Sequence, residues 1–342
     1  MKMLKTPTIM GILNVTPDSF FDGGRFNSDR AWLAQAEKML AEGADIVDVG
    51  GFSSRPDYDF VSEDEELRRV LPVVVGLKQR FPDVKISVDT FRAKVAQECI
   101  HAGADIINDI SGGNIEPEIW NVIAENQHVI YVLMHGVESL ETLHRGECLE
   151  SVSLPQRRKE NAKSAKSKHL IINPLRTLRK IFAPLRLKFL TYETTSCPLE
   201  MPVIPNEAKR NEESLAPHAL VKSFFATKLA LLQNKGIDTQ RIILDPGFGF
   251  GKATPQNYQL LRNLRTFADM GPVLAGLSRK TMIWKVLEIT PEESLHGTMI
   301  LNMLALLNGA TYLRVHDVKE AVATARLYKE YESSGLTNEN FY

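Results

Sequence analysis

Short apolar runs recur along the chain at residues 9–13, 46–49, 85–88, 106–108, 129–134, 242–244, 273–277 and 312–315. They do not alternate apolar with polar, which is the pattern of strands buried on both faces of a parallel sheet. Between them lie stretches with helical spacing, at 28–42, 62–79, 91–101, 117–126, 220–235, 255–267, 291–308 and 317–331. Ser28 and Ser62 are expected as N-caps, the second followed by the acidic first turn Glu63-Asp-Glu-Glu66. Pro117, Pro255 and Pro291 stand where a first helical turn tolerates proline. Eight such units predict an α/β fold, a (β/α)8 TIM barrel whose site lies at the C-terminal strand ends. A doubly wound open sheet is the runner-up, and no GxGxxG after the first strand speaks for it.

The chain echoes itself. Ala41-Glu-Gly-Ala-Asp-Ile-Val-Asp-Val-Gly-Gly51 resembles His101-Ala-Gly-Ala-Asp-Ile-Ile-Asn-Asp-Ile-Ser-Gly-Gly113, and Asn308-Gly-Ala-Thr-Tyr-Leu-Arg-Val-His-Asp317 is a fainter copy. Each reads as a helix end, a glycine terminator, and a strand that finishes on a polar residue: Asp48, Asn108, and Arg314 with His316.

One region breaks the rhythm. Between Met134-His135-Gly136 and the helix expected near Leu220, residues 157–188 hold eleven Lys/Arg against Glu160 alone, a net of +10, which leaves −11 for the rest of a chain whose total is −1. Residues 195–217 are rich in Pro, Glu, Asn and Ser. Connections this long inside a compact domain are uncommon. The expectation is one domain over 1–342, interrupted at about 150–216 by a solvated, disordered insertion. RNA, phospholipid or a partner could meet such a basic run, but interleaved aromatics are missing, so no nucleic acid is expected.

Composition adds bounds. A 342-residue chain with 44% hydrophobic residues has ample core material. Its near-zero net charge favours neither nucleic acid nor an anionic membrane. Cys99, Cys148 and Cys197 form no CxxC pair, which suits a reducing compartment. With neither a signal-peptide core nor an 18-residue apolar stretch, a cytoplasmic protein with no membrane contact is expected.

The strand ends deliver Asn14; Asp48 with Ser53, Ser54 and Arg55; Asp89-Thr90; Asn108-Asp109; Met134-His135; Asp245-Pro-Gly-Phe-Gly-Phe-Gly-Lys252; Ser278-Arg-Lys280; Arg314 and His316. Carboxylates and amides there can hydrogen-bond a flat, nitrogen-rich ring, Asp245 matching adjacent N–H donors in bidentate fashion. Arg55, Arg314 and His316 could clamp a polyanion such as pyrophosphate, and Asn14 could share Mg²⁺ with phosphate oxygens. Structural readings stand beside these: Asp48 and Asp109 as loop caps or partners of Lys and Arg, His316 as a hydrogen-bonded framework residue. The glycines of 247–252 fail P-loop spacing and instead allow close backbone approach, with Phe248 as a stacking wall. Without HExxH, paired CxxC or GxSxG, zinc hydrolysis and serine hydrolysis lose support.

Together Met10–Phe26, Gly50–Pro56, Asp89-Thr90, Ile107-Asn-Asp109, Leu133-Met-His135, Asp245–Lys252, Ser278-Arg-Lys280 and Arg314-Val-His316 resemble the dihydropteroate synthase family of pterin-binding barrels, over residues 7–145 and 219–335. The resemblance implies a transferase of folate biosynthesis and a sulfonamide target, condensing 6-hydroxymethyl-7,8-dihydropterin diphosphate with 4-aminobenzoate and releasing diphosphate. It implies Asp22, Arg55 and Lys280 as catalytic residues. Ser54, Pro56, Asp89, Asn108, Met134, Asp245, Phe248, Gly249, Lys252, Thr281, Arg314 and His316 would bind substrates, and Asn14 would bind Mg²⁺. A homodimer is also implied, since late-helix dimers are usual in the family. Departures are Phe52 in place of an acid in Gly50-Gly-Phe-Ser-Ser-Arg-Pro56, Phe21 and Thr281 in place of small polar residues, and the insertion, which is not part of the family pattern. Two alternatives remain open: a methyltetrahydrofolate-type pterin methyltransferase, which has no diphosphate to bind, and a non-catalytic barrel whose basic insertion meets RNA or a partner.

Overall fold

The computed structural model describes residues 6–15, 25–52, 61–136, 139 and 216–334, apart from the side chains of 25–30. The chain divides into a unit of residues 1–152 with 214–342 and a unit of 153–213, and every described residue belongs to the first. The expected insertion therefore lies outside the described residues, Ala216 excepted.

Strands and helices alternate: β1 (Thr8–Asn14), α1 (Arg25–Glu42), β2 (Ile46–Gly50), α2 (Glu63–Arg80), β3 (Lys85–Asp89), α3 (Ala93–His101), β4 (Ile106–Asp109), α4 (Ile119–Glu125), β5 (Ile130–Met134), α5 (Pro217–Asn234), β6 (Ile242–Asp245), α6 (Thr254–Arg262), α7 (Arg265–Ala268), β7 (Leu274–Ala275), α8 (Thr281–Leu287), α9 (Leu295–Leu307), β8 (Tyr312–Val315) and α10 (Val318–Ser334). All strands are parallel, in the order β6-β5-β4-β3-β2-β1-β8-β7. The ends meet where Leu244 bridges Val273 and the Leu244 amide donates to the Pro272 carbonyl at 2.8 Å. That closure makes the fold a TIM barrel and disposes of the open sheet.

The sequence echo has a physical cause. Helices α1, α3 and α9 each end in a double turn. The glycine amide (Gly43, Gly103, Gly309) donates to the carbonyl three residues back, and the next alanine's amide to the one five back. This closure needs a left-handed residue, and the three glycines have φ of 100–105°. Two residues after each glycine, Asp45, Asp105 and Thr311 accept the amide of Ile9, Ile86 and Val273 on the neighbouring strand. One device thus stops the helix and sets the next strand's start. A fourth copy, at Gly236-Ile237, precedes β6; the sequence echo does not reveal it.

Helix ends follow local chemistry with two differences. Ser62 Oγ accepts the Glu65 amide as an N-cap (3.3 Å). Helix α1, however, begins at Arg25, which places Ser28 inside it rather than at its cap. The 255–267 stretch is two helices, broken at Asn263-Leu264. The seven-residue α8 is too short to show a helical period.

Inside the barrel, side chains change character along each strand. Met10, Ile46, Ile106, Val132, Ile243 and Leu274 pack as one apolar layer with Ile130 and Tyr312. Two residues further on, the same inward parity brings Ile12, Asp48, Asn108, Met134, Asp245 and, after Tyr312, Arg314. The apolar plug ends there and a polar layer begins at the C-terminal mouth. The larger core, including Val47, Val88, Ile107, Leu133 and Leu313, fills the shell between strands and helices.

Candidate active site

Arg314 is the hub of the polar layer. Its Nε donates to Asp48 Oδ2 (2.7 Å) and its Nη2 to Asp89 Oδ2 (2.6 Å). Asp48 also accepts from Asn108 Nδ2 at 3.3 Å. Burial works against the Arg314 cation, but Asp48 and Asp89 outweigh it and raise its pKa. Burial likewise raises Asp89 to about 7, against the pull of Arg314 and with Asp48 adding repulsion. Asp48 thus fits the structural reading as a partner of arginine, holding the guanidinium. Asp109 does fit the framework reading. Its carboxylate accepts from the Ser111 and Gly113 amides, the Ser111 hydroxyl and the Tyr131 hydroxyl.

Asn14 and Asp89 flank Gly50. A methyl group at Gly50 would stand 3.6 Å from Asn14 Oδ1 and 3.9 Å from Asp89 Oδ2. Two hard oxygen donors thus face the same small space.

Across the mouth, Asp245 is 5% exposed. One oxygen accepts the Gly247 amide at 2.8 Å. Burial raises its pKa, and Lys280 opposes this. Lys280 donates to the Phe248 carbonyl and lies 4.4 Å from the Phe250 ring centroid. Burial lowers its pKa to about 8, with Asp245 resisting. Buried polar atoms without a partner among the described residues include Asn108 Oδ1, Asp48 Oδ1 and Ser87 Oγ. A buried layer with unmet hydrogen bonds is built to receive polar groups from outside.

Met134 closes the floor. It packs with Phe91 and Ile110, and Phe52, Ile115 and Phe250 pack against them. Phe52 stands edge-on to Phe91 at 6.0 Å, so the residue that departs from the family's acid joins an apolar cluster. His316 is oriented by Ser278, whose Oγ lies 3.0 Å from His316 Nδ1. Thr281 opens α8.

Two expected substrate contacts differ. Phe248 is fully buried in the core and presents only its carbonyl, so it is not a stacking wall. Phe250 is the half-buried aromatic at the mouth. The repeat Gly-Phe-Gly-Phe-Gly offers two candidates, and only the turn's path selects between them. Lys252 donates to the carbonyls of His135 (3.0 Å), Gly247 (2.9 Å) and Phe250 (2.9 Å); it knits the loop together instead of reaching outward. Gly247 (φ 68°) and Gly249 (φ 80°) make this turn feasible: a Cβ on Gly247 would sit 1.9 Å from the His135 carbonyl oxygen, and one on Gly249 3.0 Å from Lys280 Cδ. Asp22, Ser54, Arg55 and Pro56 lie outside the described residues.

At the opposite mouth, a cleft of about 670 Å³ lined by Thr8, Gly271 and Tyr312 carries none of these groups. No helix among the described residues is long and apolar enough to cross a membrane.

Comparison with known proteins agrees with this geometry. The family model described as "Pterin binding enzyme" matches residues 10–178 and 189–316. Dihydropteroate synthase of Bacillus subtilis is 35% identical over 320 residues, 93% of this chain and 86% of that protein. A Clostridium difficile dihydropteroate synthase crystallised with pteroic acid superposes with a TM-score of 0.70 at 31% identity, covering 97% of this chain and 99% of its own. The Xanthomonas albilineans enzyme with 4-aminobenzoic acid gives 0.69 at 31%, covering 96% and 93%.

Proposed function

The chain belongs to the dihydropteroate synthase family of pterin-binding enzymes, transferases of folate biosynthesis, and on that premise we propose that it condenses 6-hydroxymethyl-7,8-dihydropterin diphosphate with 4-aminobenzoate in the presence of Mg²⁺. The observation that carries the choice of substrate is the pairing of an acceptor side with a cationic side in one buried layer. Asn108 leaves its side-chain oxygen unmet and Asp245 presents a buried carboxylate with one oxygen on a backbone amide, which suits the ring N–H and amino donors of a pterin. Arg314 and His316, at the end of the strand two places from that of Asp245, suit its diphosphate. A methyltransferase that takes no diphosphate would leave Arg314 only its pairing with Asp48 and Asp89.

Asn14 offers a hard amide oxygen beside Gly50 that would suit Mg²⁺ held together with the substrate's phosphate oxygens. Mg²⁺, when bound with Asn14 as ligand, supplies neutralisation of the leaving diphosphate's charge. Arg314 is held by Asp48 and Asp89, so its cation is already oriented before substrate arrives and needs no reorganisation to meet the diphosphate. Met134 and Phe250 shield the ring from water on the apolar side. Asp245 and Lys280 hold the ring so that its methylene faces the aminobenzoate amine, and the arrangement works by positioning rather than by a covalent nucleophile. Asp22, Arg55, Ser54, Pro56 and Thr281 complete the reading as the loop residues and helix start expected to meet aminobenzoate and the developing cation. Residues 150–216 are read as an insertion into a single barrel domain, and the enzyme as a cytoplasmic homodimer.

Steady-state diphosphate release tests the reaction. Release is expected only with both substrates and Mg²⁺, and to stop on chelation. No release at saturating substrates and Mg²⁺ refutes the reading.

A further inference from the structure

Two consecutive residues leaving β7 reach two consecutive residues leaving β8. Ser278 meets His316 through Nδ1 (3.0 Å) and accepts its amide (3.3 Å). Arg279 donates Nε to Asp317 Oδ2 (3.1 Å) and Nη2 to Asp317 Oδ1 (2.6 Å), a fork-to-fork ion pair. The backbone between these links is unusual. The Lys280 amide closes a turn onto the Leu277 carbonyl (3.3 Å), and Arg279 has a φ of 56°. Glycine is favoured at that place in such a turn, and an arginine there persists only if its surroundings hold it. Thr298 on α9 adds a second hold by accepting the Arg279 amide at 3.2 Å.

The sheet itself does little here. Only Leu274 and Ala275 of β7 pair with β8, so the placing of 276–280 relative to Arg314 and His316 falls to side-chain links. The guanidinium of Arg279 is directed at Asp317.

We propose that Arg279 and Asp317 are positioning residues for the reaction: their ion pair holds the left-handed turn that sends Lys280 across Gly249 toward Asp245 and fixes it relative to His316 and Arg314. Neither residue touches substrate. The proposal rests on the reading above, in which Lys280 meets the pterin and His316 the diphosphate. Its consequence is that the distance between the ring-holding and diphosphate-holding ends is set by one half-buried ion pair beside the shortest strand of the barrel.

The test uses Arg279→Gly, which keeps the left-handed backbone at no steric cost, Asp317→Asn, which keeps size but not charge, and Arg279→Lys as the conservative variant. Calorimetry with pterin diphosphate and KM and kcat for both substrates are measured, with thermal melting as the folding control. Each of the first two variants is expected to lose about tenfold in pterin diphosphate affinity, as small displacements of binding groups do. Their double variant should lose no more than either alone, Arg279→Lys should recover part, and all should melt within a few degrees of wild type. Unchanged affinity in both Arg279→Gly and Asp317→Asn overturns the proposal, as does tighter binding in Arg279→Gly through relief of strain. Wild-type turnover separates the two failures: an inactive wild type sinks the functional reading, whereas an active wild type with unaffected variants sinks only the positioning role. A readout that needs no ligand is the Lys280 ammonium titration by NMR of ¹³C-methylated lysines. Cutting the ion pair is expected to move it up toward the ordinary lysine value, and an unmoved titration counts against the strap whatever the enzyme's substrate.

Discussion

Asp245→Asn separates binding from folding at the centre of the site. The carboxylate is 5% exposed, and one oxygen accepts the Gly247 amide at 2.8 Å. Asparagine keeps that acceptor and the shape, so the 247–252 turn should survive. What changes is the face toward the ring, where an anionic acceptor becomes an amide carrying donors. Hydrogen bonds to a charged partner contribute about 1.5–3 kcal/mol each, and a donor left unmet costs about 1–3 kcal/mol. Losing one charged bond and leaving one ring donor facing an NH₂ group should weaken binding by about 3 kcal/mol, or about 10²-fold in Kd. Stability should move the other way. Burial raises the Asp245 pKa in the fold, so its contribution to stability is present at low pH and lost as pH rises through the folded value. At neutral pH the asparagine variant should therefore melt no lower than wild type. Calorimetric titration with pterin diphosphate, without 4-aminobenzoate, measures the affinity, and paired melting curves measure the rest. Affinity within threefold of wild type would refute the assignment of Asp245 as the ring's anchor.

Lys280 gives a pH prediction. Burial lowers its pKa from 10.5 to about 8, so pterin diphosphate affinity should decline above pH 8 as the ammonium is lost. Between pH 8 and 10.5 the unfolded chain binds the extra proton, so the Lys280 contribution to stability should grow with pH. Melting curves of wild type against Lys280→Met across that range check the sign. Lys252→Met should cost about 3 kcal/mol in urea unfolding, because three charge-assisted bonds vanish and buried carbonyls are left unmet; a loss under 1 kcal/mol would show that the loop holds without it. Deleting residues 150–215 should leave turnover within several-fold, and a collapse of activity with melting unchanged would show that this segment serves the site.

The departures from expectation share one origin, the path of the chain between elements. Phe248 and Phe250 are indistinguishable in a Gly-Phe-Gly-Phe-Gly run, yet two left-handed glycines bury the first and bring the second to the mouth. Lys252 is expected among the substrate-binding residues, but the carbonyls that hold it belong partly to His135, more than a hundred residues earlier. The fourth glycine terminator, at Gly236, escapes the sequence echo because Ile237-Asp238 replaces Ala-Asp after it.

By itself the sequence determined the eight-stranded barrel and which of its strand ends carry polar residues. Short apolar runs, glycine stops and the polar residues that end each strand are local properties, and they mark where each strand starts and stops. The partnerships were decided only by tertiary structure. Arg314 with Asp48 and Asp89, Ser278 with His316, and Arg279 with Asp317 join residues between 38 and 266 positions apart. Charge in the mouth follows burial, which a linear chain does not show: burial raises Asp89 to about 7 against the pull of Arg314 and lowers Lys280 to about 8 against that of Asp245.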